Sequence, residues 1–359
     1  MPNQNIKILF FGTCEFAVPI LQKLIDEKYK ISAVVTPPDK PAGRKQIFTP
    51  PPVKTFALKH GIQIFQPDKL QISNFPSCAE ASAGRQFLIS NLDLIITASY
   101  GKIIPKEILD LPKYGAINVH PSLLPKYRGP SPIQYAILNG DKETGVTIML
   151  MDEKMDHGHI LAQEKIKIMG EDMDPRLQTY MEMGAIHPFE SEIYKPRFPE
   201  LHDTLSRLGA DSLIKTIPKW ISGEIKPIPQ NDAQATYTKI IKKEDGKIDW
   251  TKSANDIERK IRAFTPLPGC WTLLPDGMRV KIIDAVELPS ECIDDIKTRQ
   301  DLVSKGVGQI IRLTNKKLAI KCGADFLEIK KLQIEGKKVM TNEEFLNGYK
   351  IIGQVLGLE

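Results

Sequence analysis

Apolar and polar positions along the chain spell strand, turn and helix in repeated succession. Ile6 to Phe11 is a short apolar run closed by Gly12-Thr13, and Phe16 to Leu24 then carries apolar residues at near-helical spacing, with Pro19 early enough to be tolerated. Ile31 to Thr36 and Ile62 to Phe65 read as further strands, with a helical pattern from Val53 to His60 between them. Leu92 to Ala98 is almost continuously apolar, which suits a strand covered on both faces. Ala116 to His120 is another strand, Pro132 to Leu138 a helix, and Gly145 to Met151 a strand of β-branched and apolar residues. The succession predicts an α/β architecture: a Rossmann-like, mostly parallel sheet with helices on both faces.

The pattern changes after the helix from His202 to Ile217. Gly223 to Asp232, with Pro227 and Pro229 among polar residues, reads as a linker. Beyond an amphipathic helix at Ala254 to Arg262 come short segments at Val280–Val286, Gly308–Leu313, Leu318–Lys321 and Phe326–Gln333, punctuated by Gly and Asn. That is the pattern of a small, OB-like β-barrel. The expected division is therefore 1–222, a linker at 223–232, and 233–359.

Composition narrows the class without naming it. A chain of 359 residues suits two domains, and 42% hydrophobic with 26% charged residues describes a globular protein. No apolar run approaches the roughly 18 residues of a membrane span, and Met1 to Asn5 lacks a basic signal-peptide start, so a cytoplasmic protein is expected. The 5 cysteines form no Cys-x-x-Cys pair, which points to free thiols rather than a disulfide framework or zinc site. A net charge of +5 permits an anionic partner but does not identify one.

Candidate chemistry concentrates at the end of the 116–120 strand. Alternation places Asn118 and His120 on one face and Ile117 and Val119 on the other. Pro121 then stops the ladder, at the carboxyl end of a buried strand, where open α/β sheets hold their ligands. An amide can donate to a carbonyl oxygen as it becomes negative, and an imidazole can donate or shuttle a proton. Asp156, delivered by the following strand, supplies a carboxylate to orient the ring, so the three suit acyl transfer to an amine. His157 and His159 flank Gly158 without a Cys or Glu completing a ligand set, so no metal is expected. Met149, Met151 and Met155 read as core filler. Pro37 to Lys45 is too proline-rich for regular structure and reads as an exposed basic loop.

The string Asn118-Val119-His120-Pro121-Ser122-Leu123-Leu124-Pro125, with Asp156 and Gly158, resembles the methionyl-tRNA formyltransferases. Lys243 to Trp250 and Glu344 to Tyr349 resemble that family's carboxyl-terminal domain. The resemblance implies 10-formyltetrahydrofolate as formyl donor, initiator methionyl-tRNA as acceptor, and Asn118, His120 and Asp156 as catalytic residues. It further implies that Ser122, Leu123, Leu124, Pro125, Tyr100 and Gly101 lie against the folate. By the same resemblance Lys40, Arg44 and Lys45 contact the tRNA acceptor arm, and the 233–359 barrel binds tRNA. Lys126 and Tyr127 stand where the family usually has Arg and Trp, and His157 where threonine is common. The stretch at about 173–199 has no counterpart in the family pattern and is expected to be a surface excursion packed on the first domain. A folate-dependent formyltransferase acting on a small amine, and a catalytically silent RNA-binding relative, remain open as alternatives.

Overall fold

The structure, a computed structural model, describes residues 5–43, 46–71, 92–169, 192–289, 306–312, 318–349 and 353–357. The first part runs β1 (Lys7–Gly12), α1 (Ala17–Asp26), β2 (Lys30–Val35), β3 (Lys40–Ala42), β4 (Ile47–Thr49), α2 (Pro52–Lys59), β5 (Ile64–Phe65) and β6 (Leu94–Ala98). It continues through α3 (Lys106–Leu109), β7 (Ala116–His120), α4 (Pro132–Leu138), β8 (Glu143–Leu150), β9 (Ile160–Met169), β10 (Glu192–Tyr194) and α5 (Phe198–Ile221). Its main sheet has the order β10-β9-β8-β7-β6-β1-β2-β5. From β5 to β7 neighbouring strands are parallel, whereas β8 runs antiparallel to both β7 and β9.

Continuous apolar runs build the centre of this sheet because both of its faces are covered. In α1, Ala17, Ile20, Leu21 and Leu24 are buried at helical spacing. They join Ile117 and Val119 of β7 and Leu205, Leu213 and Ile217 of α5 in one cluster on one side of the sheet. Gly209 allows α5 to sit close on that face, since a Cβ there would lie 2.7 Å from Val119 Cγ1. On the other side Phe11, Ile95, Tyr100, Ile104, Ile108 and Ala116 form a smaller cluster. Asn118 and His120 share the face of Ala116, so they emerge on the side without the long helix.

The second part holds α6 (Ala254–Phe264), β11 (Cys270–Leu273), β12 (Arg279–Leu288), β13 (Ile310–Arg312), β14 (Leu318–Lys321), β15 (Phe326–Ile334), β16 (Met340–Thr341) and α7 (Asn342–Gly348). Its antiparallel sheet has the order β11-β12-β15-β14-β13, with β16 on β15. Thr272, Val280, Ile310, Ile320, Ile329 and Leu332 face one interior, so the sheet curls around a common core as a barrel does. Ser253 caps α6, accepting from the Asp256 amide at 3.0 Å, and Thr341 with Glu344 forms a capping box on α7. The two parts dock through the buried Arg262, which pairs with Glu258 and donates to the Pro196 carbonyl, and through an Arg197–Asp284 ion pair.

Several expectations are corrected. Part of the proline-rich 37–45 stretch is regular: Lys40–Ala42 pairs with Ile47–Thr49 as a small hairpin, an edge arrangement in which proline's missing donor costs nothing. Of the 173–199 excursion, 173–191 lies outside the described residues, while 192–199 supply β10 and the start of α5. Met149 is buried, but Met155 is 63% exposed and fills no core. The 223–232 segment is tied to the first sheet, since Ile228 makes two backbone hydrogen bonds with Ile160. No described helix is long and apolar enough to cross a membrane.

Candidate active site

The site forms where β7 stops. His120 is 4% exposed, and its Nε2 lies 3.0 Å from the Tyr127 carbonyl oxygen. A carbonyl only accepts, so Nε2 carries a proton and donates it, which turns Nδ1 toward Asp156. Asp156 Oδ1 lies 3.6 Å from His120 Nδ1 and 3.4 Å from Asn118 Nδ2, which donates to it. The three side chains named from the sequence therefore meet. Both separations are longer than a good hydrogen bond, as catalytic contacts often are before substrate binds.

Local backbone holds Asp156 in that place. Its φ is +49°, left-handed and unusual for a residue other than glycine. The Gly129 amide donates to Asp156 Oδ2 at 2.8 Å. Gly158 is required for the return to β9, because a Cβ there would collide with the Leu150 carbonyl. Tyr127 (φ +62°) and Ser99 (φ +47°) also adopt left-handed backbone beside the site. Such strain persists only where surrounding contacts over-determine it.

Those contacts come from residues with no evident signal in the sequence. Arg128, 1% exposed, donates to Gln230 Oε1 from Nε (3.1 Å) and Nη2 (2.9 Å), and to Asp232 Oδ1 at 2.8 Å. Gln230 Nε2 donates to the carbonyls of Asp156 (2.9 Å) and Gly158 (2.8 Å). The arginine holds the Asp232 carboxyl below the usual carboxylate range by hydrogen bonding. His157 Nδ1 lies 2.6 Å from Asp152 Oδ2 and its Nε2 lies 3.4 Å from Asp232 Oδ2, so both ring nitrogens face carboxylates. Residues 236–238 run beside 127–131: Arg128 N–H donates to the Thr236 carbonyl and Thr238 N–H to the Arg128 carbonyl, each at 2.8 Å. Among the described residues no group of three or more His, Cys, Asp or Glu is arranged to hold a metal.

The loop after His120 is tightly internal. Ser122 is fully buried, its hydroxyl donating to the Lys126 carbonyl at 2.6 Å, and Leu124 is 3% exposed. Leu123 packs against Gly145, and Leu123 and Pro125 are partly exposed. Tyr100 is 3% exposed in the smaller core, where burial pushes its phenol up to about 12, and its carbonyl accepts from Thr13 Oγ1. Gly101 is exposed with φ +76°. Thr97 pairs in register with Asn118, and its buried Oγ1 has no hydrogen-bond partner among the described residues. Tyr127 OH donates to Asp141, where Lys126 also binds at 2.8 Å.

Lys40 is exposed on the β3–β4 hairpin, next to the exposed Ile47 and Phe48. Arg44 and Lys45 lie outside the described residues. A cleft of about 620 Å³ opens beyond Gly129, lined by Pro130, Ser131, Lys243, Trp271, Arg279 and Lys281 among others. The Arg279 guanidinium sits 4.1 Å from the Trp271 ring centroid. This cleft adjoins the Asn118–His120–Asp156 cluster through the chain rather than containing it.

Residues 4–191 match the family model described as formyl transferase, and residues 240–350 match the formyl transferase C-terminal domain. A methionyl-tRNA formyltransferase of Bacillus pumilus (strain SAFR-032) is 40% identical over 98% of this chain and 98% of its own. One of Geobacillus sp. (strain WCH70) is 43% identical over 99% of each. Among solved structures, a sugar 3N-formyl transferase in the presence of dTDP and 5-N-formyl-THF aligns with a TM-score of 0.58 at 21% identity, covering 93% of this chain and 99% of that one. An N-formyltransferase from Helicobacter canadensis, in complex with folinic acid and dTDP-3-aminofucose, aligns with a TM-score of 0.56 at 19% identity, covering 90% and 98%. At such identities the structural likeness concerns the fold. The sequence matches extend over both parts of the molecule and carry the relationship: the chain belongs to the methionyl-tRNA formyltransferase family.

Proposed function

We propose that this protein transfers the formyl group of 10-formyltetrahydrofolate to the amino group of methionine on initiator methionyl-tRNA, in the cytoplasm, using Asn118, His120 and Asp156. The observation that carries the reading is the approach of one Asp156 oxygen to both Asn118 Nδ2 (3.4 Å) and His120 Nδ1 (3.6 Å).

The amine nitrogen attacks the formyl carbon, the carbonyl oxygen becomes negative, and the bond from carbon to the folate nitrogen breaks. One proton moves from the amine to that leaving nitrogen. Asn118 has a second amide hydrogen for the developing oxyanion, and the Thr97 hydroxyl, which has no hydrogen-bond partner among the described residues, is one strand away. The lone pairs of His120 Nδ1 and Asp156 can take up the migrating proton, and a doubly protonated ring then becomes a donor itself. Fit to a formyl donor rests on the partly exposed Asn118 amide beside His120 and Asp156. The scheme calls on no metal. Lys40, Arg44 and Lys45, with the basic cleft at Lys243, Arg279 and Lys281, supply positive charge for an RNA backbone in a division at 1–222, 223–232 and 233–359.

Single-turnover formylation by Asn118→Ala and Asp156→Asn variants tests the assignment. Removing one oxyanion donor typically slows such chemistry about 10²- to 10³-fold. Near-normal rates remove these roles. Offering free amine acceptors beside methionyl-tRNA separates this reading from a small-amine formyltransferase.

A further inference from the structure

We propose that Gln230, clamped by Arg128, is a positioning residue that aims the Asp156 carboxylate at Asn118 and His120. The segment joining the two sheets would then be part of the formyl-transfer site and not only a connector. The inference rests on the catalytic role given to Asp156 above.

Hydrogen-bond chemistry settles which way the Gln230 amide faces. Arg128 can only donate, so the oxygen of Gln230 meets its Nε and Nη2, at 3.1 and 2.9 Å. The amide nitrogen must then face the other way, and its two hydrogens match two carbonyl oxygens, those of Asp156 and Gly158 at 2.9 and 2.8 Å. These carbonyls belong to the last three residues of the turn that carries the Asp156 side chain. The turn holds Asp156 in left-handed backbone at φ +49°, a conformation that relaxes unless neighbours hold it.

Arg128 is itself fixed from the far side by Asp232 at 2.8 Å and by backbone bonds to Thr236 and Thr238. Its side chain is nearly sealed from solvent, 2% exposed, whereas Asp232 is 63% exposed. A buried guanidinium with this many engaged donors has little freedom. The path from the 230–238 segment to the Asp156 carboxylate thus consists of short hydrogen bonds at each step. Loosening Gln230 lets Asp156 drift, and a displacement of about 1 Å at a reacting group slows chemistry on the order of 100-fold.

The test uses the full-length chain with 10-formyltetrahydrofolate and methionyl-tRNA. Gln230→Glu keeps size and the acceptor for Arg128 but turns an oxygen toward the two carbonyls. Gln230→Met keeps length without polarity. Both are expected to lower the single-turnover rate about 10- to 100-fold, with KM for each substrate changed less than about threefold. Combined with Asp156→Asn, Gln230→Glu should slow the enzyme no further, because the group it aims is already lost. The proposal is overturned if Gln230→Glu works at the normal rate while Asp156→Asn is crippled, or if the two losses multiply. It is equally overturned if the loss follows only a lowered unfolding midpoint in both variants. Should Asp156→Asn itself be near normal, the catalytic assignment fails, and the positioning role with it.

Discussion

Substituting Gly158 by alanine should disable the enzyme while leaving it folded. A Cβ at this position would overlap the carbonyl oxygen of Leu150 and lie 2.9 Å from its carbon. Carbon atoms in ordinary contact are about 3.5 Å apart or more. The carbon alone therefore demands a shift of about 0.6 Å, and the oxygen, being nearer, demands more. Leu150 lies at the end of β8, held by β7 on one side and by the His159 carbonyl at 2.8 Å. The 152–158 turn yields before that strand does. Its movement carries Asp156 away from the Gly129 amide and from His120, two residues upstream of the substitution. A shift near 1 Å corresponds to a rate loss of about 10²-fold, and overpacking costs about 1–3 kcal/mol of stability. Single-turnover formylation reads the first quantity and thermal unfolding the second. Gly348→Ala is the control, since nothing among the described residues lies within 4 Å of a Cβ there. A Gly158→Ala enzyme with the normal rate would refute the claim that this turn sets the carboxylate.

Other outcomes follow from the same structure. His202 sits between the rings of Phe16 and Phe198, and burial lowers its pKa from 6.5. The unfolded chain binds that proton more readily, so this contribution to stability is complete above about pH 6.5 and is lost as pH falls toward the folded value. His202→Phe should flatten the fall in unfolding temperature between pH 7.5 and 5, and an unchanged profile would count against it. Burial pushes the Cys270 and Cys322 thiols up to about 12, so alkylation at pH 8, mapped by mass spectrometry, should leave both unmodified until the chain unfolds. If Lys40, Arg44 and Lys45 touch RNA phosphates, replacing each by alanine should weaken tRNA binding and flatten its salt dependence by up to about one unit of slope per contact. Equal slopes in wild type and variants would exclude such contacts.

Much of the scaffold was readable from local pattern. The apolar runs at 6–11, 31–36 and 92–98 became central strands because continuous burial on both faces requires them. The alternation at 116–120 correctly sent Ile117 and Val119 inward to one cluster, with Asn118 and His120 on the opposite face. Proline misled in the 37–45 stretch, since an edge hairpin tolerates residues that a central strand rejects. The polar composition of the 223–232 linker gave no hint that it folds back onto Ile160, Asp156 and Arg128.

The sequence alone determined most of the central strands and their flanking helices and the chemical identity of Asn118, His120 and Asp156, because periodicity and side-chain chemistry are properties of neighbouring residues. Only the tertiary structure decided that the imidazole donates to Tyr127, leaving Nδ1 for the carboxylate, and that Arg128 and Gln230 brace the turn behind it. Gln230 and Asp156 are 74 residues apart in the chain. Their bond exists because packing brings the linker back against the 127–131 and 156–160 segments, and no local rule of spacing or propensity encodes such a return.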